Sequence, residues 1–134
     1  MFFHGSELDL NIGDAIFPNP DGYTNAKEVS ELEDLFESLR PKNCEYSRKD
    51  CVYLCHSDSD IDNAGGNTDF IYVVDLEGGF VEESDMSWYT KASLQMSEGD
   101  IEGAKKSALN YWSGEILEGV MEYRTDEAYI IDIL

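Results

Sequence analysis

Phe70-Ile71-Tyr72-Val73-Val74 is a nearly continuous apolar run of strand length, and it is the clearest β-strand signal in the chain. Upstream, Cys51-Val52-Tyr53-Leu54-Cys55 is a second β-prone run, whose period of two puts Cys51, Tyr53 and Cys55 on one face and Val52 and Leu54 on the other. Phe2-Phe3-His4 before Gly5-Ser6 predicts a short strand ending at His4, and Ile12 to Phe17 a further one before the Pro18, Pro20 and Asp21-Gly22 loop. Downstream, Glu77-Gly78-Gly79-Phe80 reads as a tight turn into Val81-Glu82-Glu83, which places the two carboxylates just beyond a strand pair. Ala128 to Leu134 is again strand-like.

Two segments have helical spacing. In the first, Val29, Leu32, Leu35, Phe36 and Leu39 recur behind an Asn25 cap with Glu28 at the capping-box position, and Arg40-Pro41 ends the run. Glu31, Glu33, Asp34 and Glu37 fall mostly between the apolar positions and predict a solvated face. The second runs from Asp100 to Tyr111 with Ile101, Ala104, Ala108 and Tyr111 as its stripe and Ser113-Gly114 as its stop. Strands outnumber helices without alternating regularly with them, so the expected class is α+β with mostly antiparallel pairing. Gly65-Gly66 and Gly78-Gly79 lack the spacing of a dinucleotide-binding Rossmann fingerprint.

A chain of 134 residues fits one domain, expected to span 1–134. Its 29 acidic and 9 basic residues give a net charge of −20, which repels nucleic-acid phosphates and anionic membranes and favours basic partners. Apolar residues at 42% and eight tyrosines place that charge on a folded surface. No apolar run approaches bilayer length, and Met1-Phe2-Phe3-His4 lacks the pattern of a secretory signal. Cys44, Cys51 and Cys55 are an odd number, which suits free thiols in a reducing compartment, so the expected location is the cytoplasm.

Phe3-His4-Gly5-Ser6 followed by Gly13-Asp14 resembles the opening of the rifampin ADP-ribosyltransferases, diphtheria-toxin-like enzymes that use NAD+. Val52-Tyr53-Leu54 resembles that family's second motif, and Ile71 to Gly78 its third strand and turn. Glu82-Glu83 falls where the family keeps its acidic residue, and Glu122-Tyr123-Arg124-Thr125 is similar to its Ser-Tyr-Arg-Thr motif. The motifs stand in family order, although the family's Pro-Gly-Asn-Pro-Thr stretch is missing. The short acidic chain and its Tyr-Ile-Ile-Asp-Ile-Leu ending also resemble phage anti-CRISPR ADP-ribosyltransferases.

The resemblance implies a split β-sheet core with flanking helices, NAD+ as co-substrate, and transfer of ADP-ribose to a host protein or to a small molecule such as rifampin. Cleaving the nicotinamide–ribose bond builds positive charge on the ribose, which a fixed carboxylate shelters. By resemblance Glu83 is that carboxylate, with Glu82 as the alternative. Tyr53 would stack on the nicotinamide, His4 would hold a ribose hydroxyl, and Gly5 with Ser6 would admit the nicotinamide amide. Arg124 would meet the pyrophosphate. Arg48 and Lys49 form another local basic pair, also explained by a solvated turn.

Asp58, Asp60, Asp62 and Asp69 have partial calcium-loop spacing but lack the glycine and glutamate of that motif, so the segment from His56 to Asp69 reads as an acidic loop, with room for one helical turn. Cys51, Cys55 and His56 have poor zinc spacing, and no metal site is expected. The alternative to an enzyme is a non-enzymatic acidic inhibitor, a DNA mimic that occupies a basic site on its partner.

Overall fold

The computed structural model describes residues 1–18, 27–63, 67–76 and 80–134, the side chains of 27–30 and 63 excepted. Asn25, the Glu28 side chain, Pro20, Asp21-Gly22, Gly65-Gly66 and the Glu77-Gly78-Gly79 turn lie outside the described residues. The element order is β1 (Phe2–Ser6), β2 (Ala15–Ile16), α1 (Lys27–Ser38), β3 (Val52–Leu54), α2 (Asp58–Asn63), β4 (Phe70–Asp75), β5 (Glu82–Asp85), α3 (Ser87–Ser97), α4 (Ile101–Ser113), β6 (Met121–Thr125) and β7 (Ala128–Ile133). The class is α+β, and every strand pairing is antiparallel.

Four strands form one sheet in the order β1-β4-β7-β2, and three form a second in the order β3-β6-β5. An antiparallel bridge between Phe3 and Cys55 joins their edges. It is closed by reciprocal backbone bonds, Phe3 N–H to the Cys55 carbonyl at 2.8 Å and Cys55 N–H to the Phe3 carbonyl at 2.9 Å. The two sheets therefore curl as one surface. On one face Val52, Leu54, Tyr72, Val74, Ala128, Ile130 and Ile16 form an apolar cluster, with Phe2, Phe70 and Tyr123 packed at its margin.

The helices build the other core. Leu32 and Phe36 of α1 meet Ala92 of α3 and Ala104, Ala108, Tyr111 and Trp112 of α4. Helix α4 lies within a residue or two of its predicted bounds: the Asp100 carboxylate caps it by accepting from Gly103 N–H, and it runs on to Ser113, where Gly114 closes it at φ +82°, a conformation in which a Cβ would be strained. Of its expected stripe, Ala104, Ala108 and Tyr111 are buried, while Ile101 is exposed.

Several expectations change. Strand β1 runs two residues past His4, because Gly5 and Ser6 continue its pairing with Ile71 and Phe70 of β4. Strand β2 shrinks to Ala15–Ile16. Asp58–Asn63 forms the short helix α2, where the acidic loop left room for one helical turn, with Asp58 and Asp60 in its favourable first turn. The glutamates 82 and 83 stand within β5 instead of beyond it, since β6 extends to pair with them. Helix α3 has no counterpart in the sequence reading, because only Ser87 and Ala92 of it are fully buried and its apolar stripe is thin.

Candidate active site

The join between the sheets decides which side chains meet. Paired residues in a sheet share a face, and neighbours along a strand alternate. The Phe3–Cys55 bridge sets Phe2 opposite His56 and His4 opposite Leu54, and the Phe2 and His56 rings accordingly stack at 4.7 Å. Leu54 pairs with Tyr123 of β6, and Tyr123 pairs with Glu83 of β5. His4, Leu54, Tyr123 and Glu83 thus form one cross-strand row on one face. With neighbouring strands about 4.8 Å apart, the row is about 14 Å long.

His4 is part-buried, and its Nδ1 lies 2.8 Å from the Tyr53 carbonyl. A carbonyl only accepts, so Nδ1–H donates and Nε2 is the acceptor of the neutral ring. Burial pushes the His4 pKa down, more than the bond to Tyr53 raises it. The ring is therefore held neutral, with Nε2 as its acceptor nitrogen.

Glu82 and Glu83 have separate fates. Glu82 shares a face with its pair Arg124 and binds the loop before β3, accepting from Glu45 N–H at 2.9 Å and Tyr46 N–H at 2.7 Å. Glu83 is exposed, and no hydrogen bond engages its carboxylate among the described residues. Of the two acids, Glu83 is the one on the His4 row.

Tyr53 meets His4 through its backbone carbonyl. Alternation turns its ring to the opposite face, where the hydroxyl donates to the Arg48 carbonyl and the Arg48 guanidinium lies 5.5 Å from the ring centroid. Gly5 is also committed to the fold. A Cβ there would stand 2.0 Å from the Asn67 carbonyl oxygen and 2.6 Å from Ile61 Cγ2, so the chain's own backbone fills the approach expected for the nicotinamide amide. Ser6 Oγ accepts from Leu8 N–H at 3.0 Å in a local turn.

Arg124 belongs to a buried ionic cluster instead of a phosphate site. It is 1% exposed, and its Nη1 donates to Ser84 Oγ at 2.9 Å and to the Tyr111 hydroxyl at 2.7 Å. Its Nε, buried, has no partner among the described residues. Arg48, expected in a solvated turn, is 3% exposed; it pairs with Glu33 at 3.2 Å and Glu122 at 2.5 Å and donates to the Tyr111 hydroxyl at 2.7 Å. Glu33, expected on a solvated face, is buried for the same reason. Tyr111 in turn donates to Glu122. Burial raises the Tyr111 pKa, so its phenol stays protonated to donate. Lys49 of the basic pair is half-buried and bonded to Asp34.

Asp85 is a second anchor that composition hides among 29 acids. Its carboxylate accepts from Leu117 N–H at 2.7 Å, Glu118 N–H at 3.0 Å, Gly119 N–H at 2.8 Å and Ser87 N–H at 3.0 Å. Burial alone pushes its pKa up, but the bonds from Ser87, Gly119 and Leu117 outweigh it and hold the group at about 2.

The three cysteines are free and buried. Burial pushes the Cys51 and Cys55 thiols up to about 12, which makes them inert. No group of three or more metal-ligating side chains gathers among the described residues, and no helix among them is long and apolar enough to cross a membrane. A groove of about 440 Å³ along α3, lined by Met86, Tyr89, Thr90, Ser93, Leu94 and Ser97, includes none of the row.

Comparison with family models, curated proteins and solved structures returns no match to this chain. The functional reading therefore stands on the residues themselves.

Proposed function

We propose that this chain is an NAD+-dependent mono-ADP-ribosyltransferase whose working face carries His4 and Glu83. The observation that supports this reading is the cross-strand row: a neutral imidazole and a carboxylate that no hydrogen bond engages among the described residues stand on one face of two joined sheets. Between them on that face stand Leu54, buried in the apolar cluster, and Tyr123, partly exposed at its margin.

In this reading the C–N bond between ribose and nicotinamide breaks, and its electron pair leaves with the nicotinamide, neutralising that ring. Positive charge develops on the ribose and is sheltered by Glu83, an electrostatic effect that is large where the charge is fixed in advance. His4 Nε2 accepts a ribose hydroxyl, while Tyr53 acts as a positioning residue, its carbonyl fixing the imidazole tautomer. A nucleophilic oxygen or nitrogen of the acceptor then bonds the anomeric carbon and releases its proton. The net charge of −20 favours a basic macromolecule as acceptor over a small molecule such as rifampin.

Incubation with labelled NAD+ and cell extract tests the proposal. Label is expected to move to a discrete acceptor with wild-type protein and to vanish with Glu83→Ala and with His4→Ala. The same charge favours a second reading, an acidic inhibitor that covers a basic site on a partner. That protein would act without NAD+, survive both substitutions and lose its effect in high salt.

A further inference from the structure

Among the described residues, the outer edge of β7 has no partner beyond Ile130. Strand β2 covers it as far as two bonds, Ile130 N–H to the Asp14 carbonyl at 3.0 Å and Gly13 N–H to the Ile130 carbonyl at 2.8 Å. Upstream of Gly13 the chain is folded into a turn, closed by Asp14 N–H on the Asn11 carbonyl and Asn11 N–H on the Asp14 carboxylate, and does not run along the rest of β7. We propose that residues 131–133 are a docking edge, to which an extended segment of a partner protein carrying lysine or arginine adds as a further strand. The proposal rests on strand register and charge, not on the ADP-ribosyltransferase reading.

Register decides which backbone groups face outward. Leu134 N–H reaches the Ile71 carbonyl at 3.0 Å and Asp132 pairs with Val73, so the main-chain groups of Asp132 and Leu134 point at β4. The irregularity at Val73/Val74 sets Ile130 and Ile131 together opposite Val74. The main-chain groups of Ile131 and Ile133 therefore point away from β4, into the space that β2 leaves open. In place of a strand partner, the Ile133 N–H is covered by the neighbouring Asp132 carboxylate at 2.8 Å. Ile131 and Ile133 are 54% and 43% exposed. An apolar edge with outward backbone groups is the template that strand addition uses.

Charge selects the occupant. Leu8 and Leu10 are tied to the hydroxyl of Tyr72, which pairs with Ile133, so the 7–14 segment lies beside this edge. Segments 7–14 and 131–134 carry Glu7, Asp9, Asp14 and Asp132 and no lysine or arginine. A second copy would bring acid against acid across the new strand pair, whereas a basic segment meets opposite charge. A partner cation that draws the Asp132 carboxylate to itself also releases the Ile133 N–H to a partner carbonyl, so charge and backbone recognition act at one place.

The probe is a capped heptapeptide of alternating lysine and valine, titrated into isotope-labelled wild-type protein without NAD+. Amide signals of residues 131–133 should shift, and solvent exchange of the Ile131 N–H should slow. Asp132→Asn and Ile131→Lys should each weaken binding about tenfold. Both should leave the Tm unchanged, because the side chains are exposed. Glu98→Gln, at the C-terminus of α3, should leave the affinity unchanged. The matching peptide of glutamate and valine should not bind. Equal binding of the two peptides, shifts confined to other surfaces, or undiminished affinity in folded Asp132→Asn and Ile131→Lys proteins would overturn the proposal. Wild-type dimers that Ile131→Lys abolishes would overturn it too, and would give the edge to a second copy. No readout uses NAD+, so failure here leaves the transferase reading standing.

Discussion

Replacing Arg48 with methionine keeps much of the side chain's volume and removes its charge. Glu33 and Glu122 are then left in the core at 1% and 3% exposure, facing each other without their shared cation. Breaking a buried pair from one side costs about 3–5 kcal/mol, because the remaining charge is neither solvated nor paired. The loss of the donor to Tyr111 falls within the same network and is not added separately. For a chain of 134 residues that corresponds to a fall in Tm of about 10–18 °C. Urea unfolding followed by tryptophan fluorescence is the assay, since Trp112 is buried with the Arg124 guanidinium 4.9 Å from its ring. A loss under about 1 kcal/mol would refute the view that this cluster holds the helices to the sheet.

Asp85 gives a pH signature of its own. Its folded pKa is depressed from 3.8 to about 2, so its contribution is complete above about pH 4 and disappears as pH falls through about 2. Asp85→Asn should cost about 2 kcal/mol at pH 7 and only a small fraction of that at pH 2, as read by chemical denaturation. His4 is likewise depressed, from 6.5; wild-type stability should exceed that of His4→Gln above pH 6.5, with the difference shrinking as the pH falls. Gly5→Ala should destabilise by about 1–3 kcal/mol in thermal melts, because the new Cβ meets the Asn67 carbonyl and backbone must move. An unchanged Tm would show that the 67–69 segment yields freely.

The strands were legible wherever their apolar content was dense. Phe70-Ile71-Tyr72-Val73-Val74 reads as a strand because both faces are apolar, and Asp100 with Gly114 bounds a helix because each supplies a specific cap. The ionic cluster was not legible, because Glu33, Arg48 and Glu122 are separated by 15 and 74 residues and each sits in ordinary polar surroundings along the chain. A local reading assigns such residues to solvent by default, and only tertiary pairing makes their burial tolerable.

The candidate site divides along the same line. His4 and Glu83 were found by residue type and motif order, and the structure puts both on one face. Tyr53 was selected by the same logic but turns away, since a motif records sequence position whereas the face of a strand is set by register. Tyr123 stood in plain view within Glu122-Tyr123-Arg124-Thr125, yet its pairing with Glu83 required knowing that β6 lies between β3 and β5. The resemblance assigns Arg124 to the pyrophosphate, whereas burial at 1% exposure commits it to the core.

A crystal structure with NAD+ bound tests the central claim most directly. The account predicts the nicotinamide ribose within hydrogen-bonding reach of Glu83, a ribose hydroxyl on His4 Nε2, and the nicotinamide over the row between them. Dinucleotide seated in the α3 groove, or on the helix-facing side of β3 with Tyr53, would contradict it.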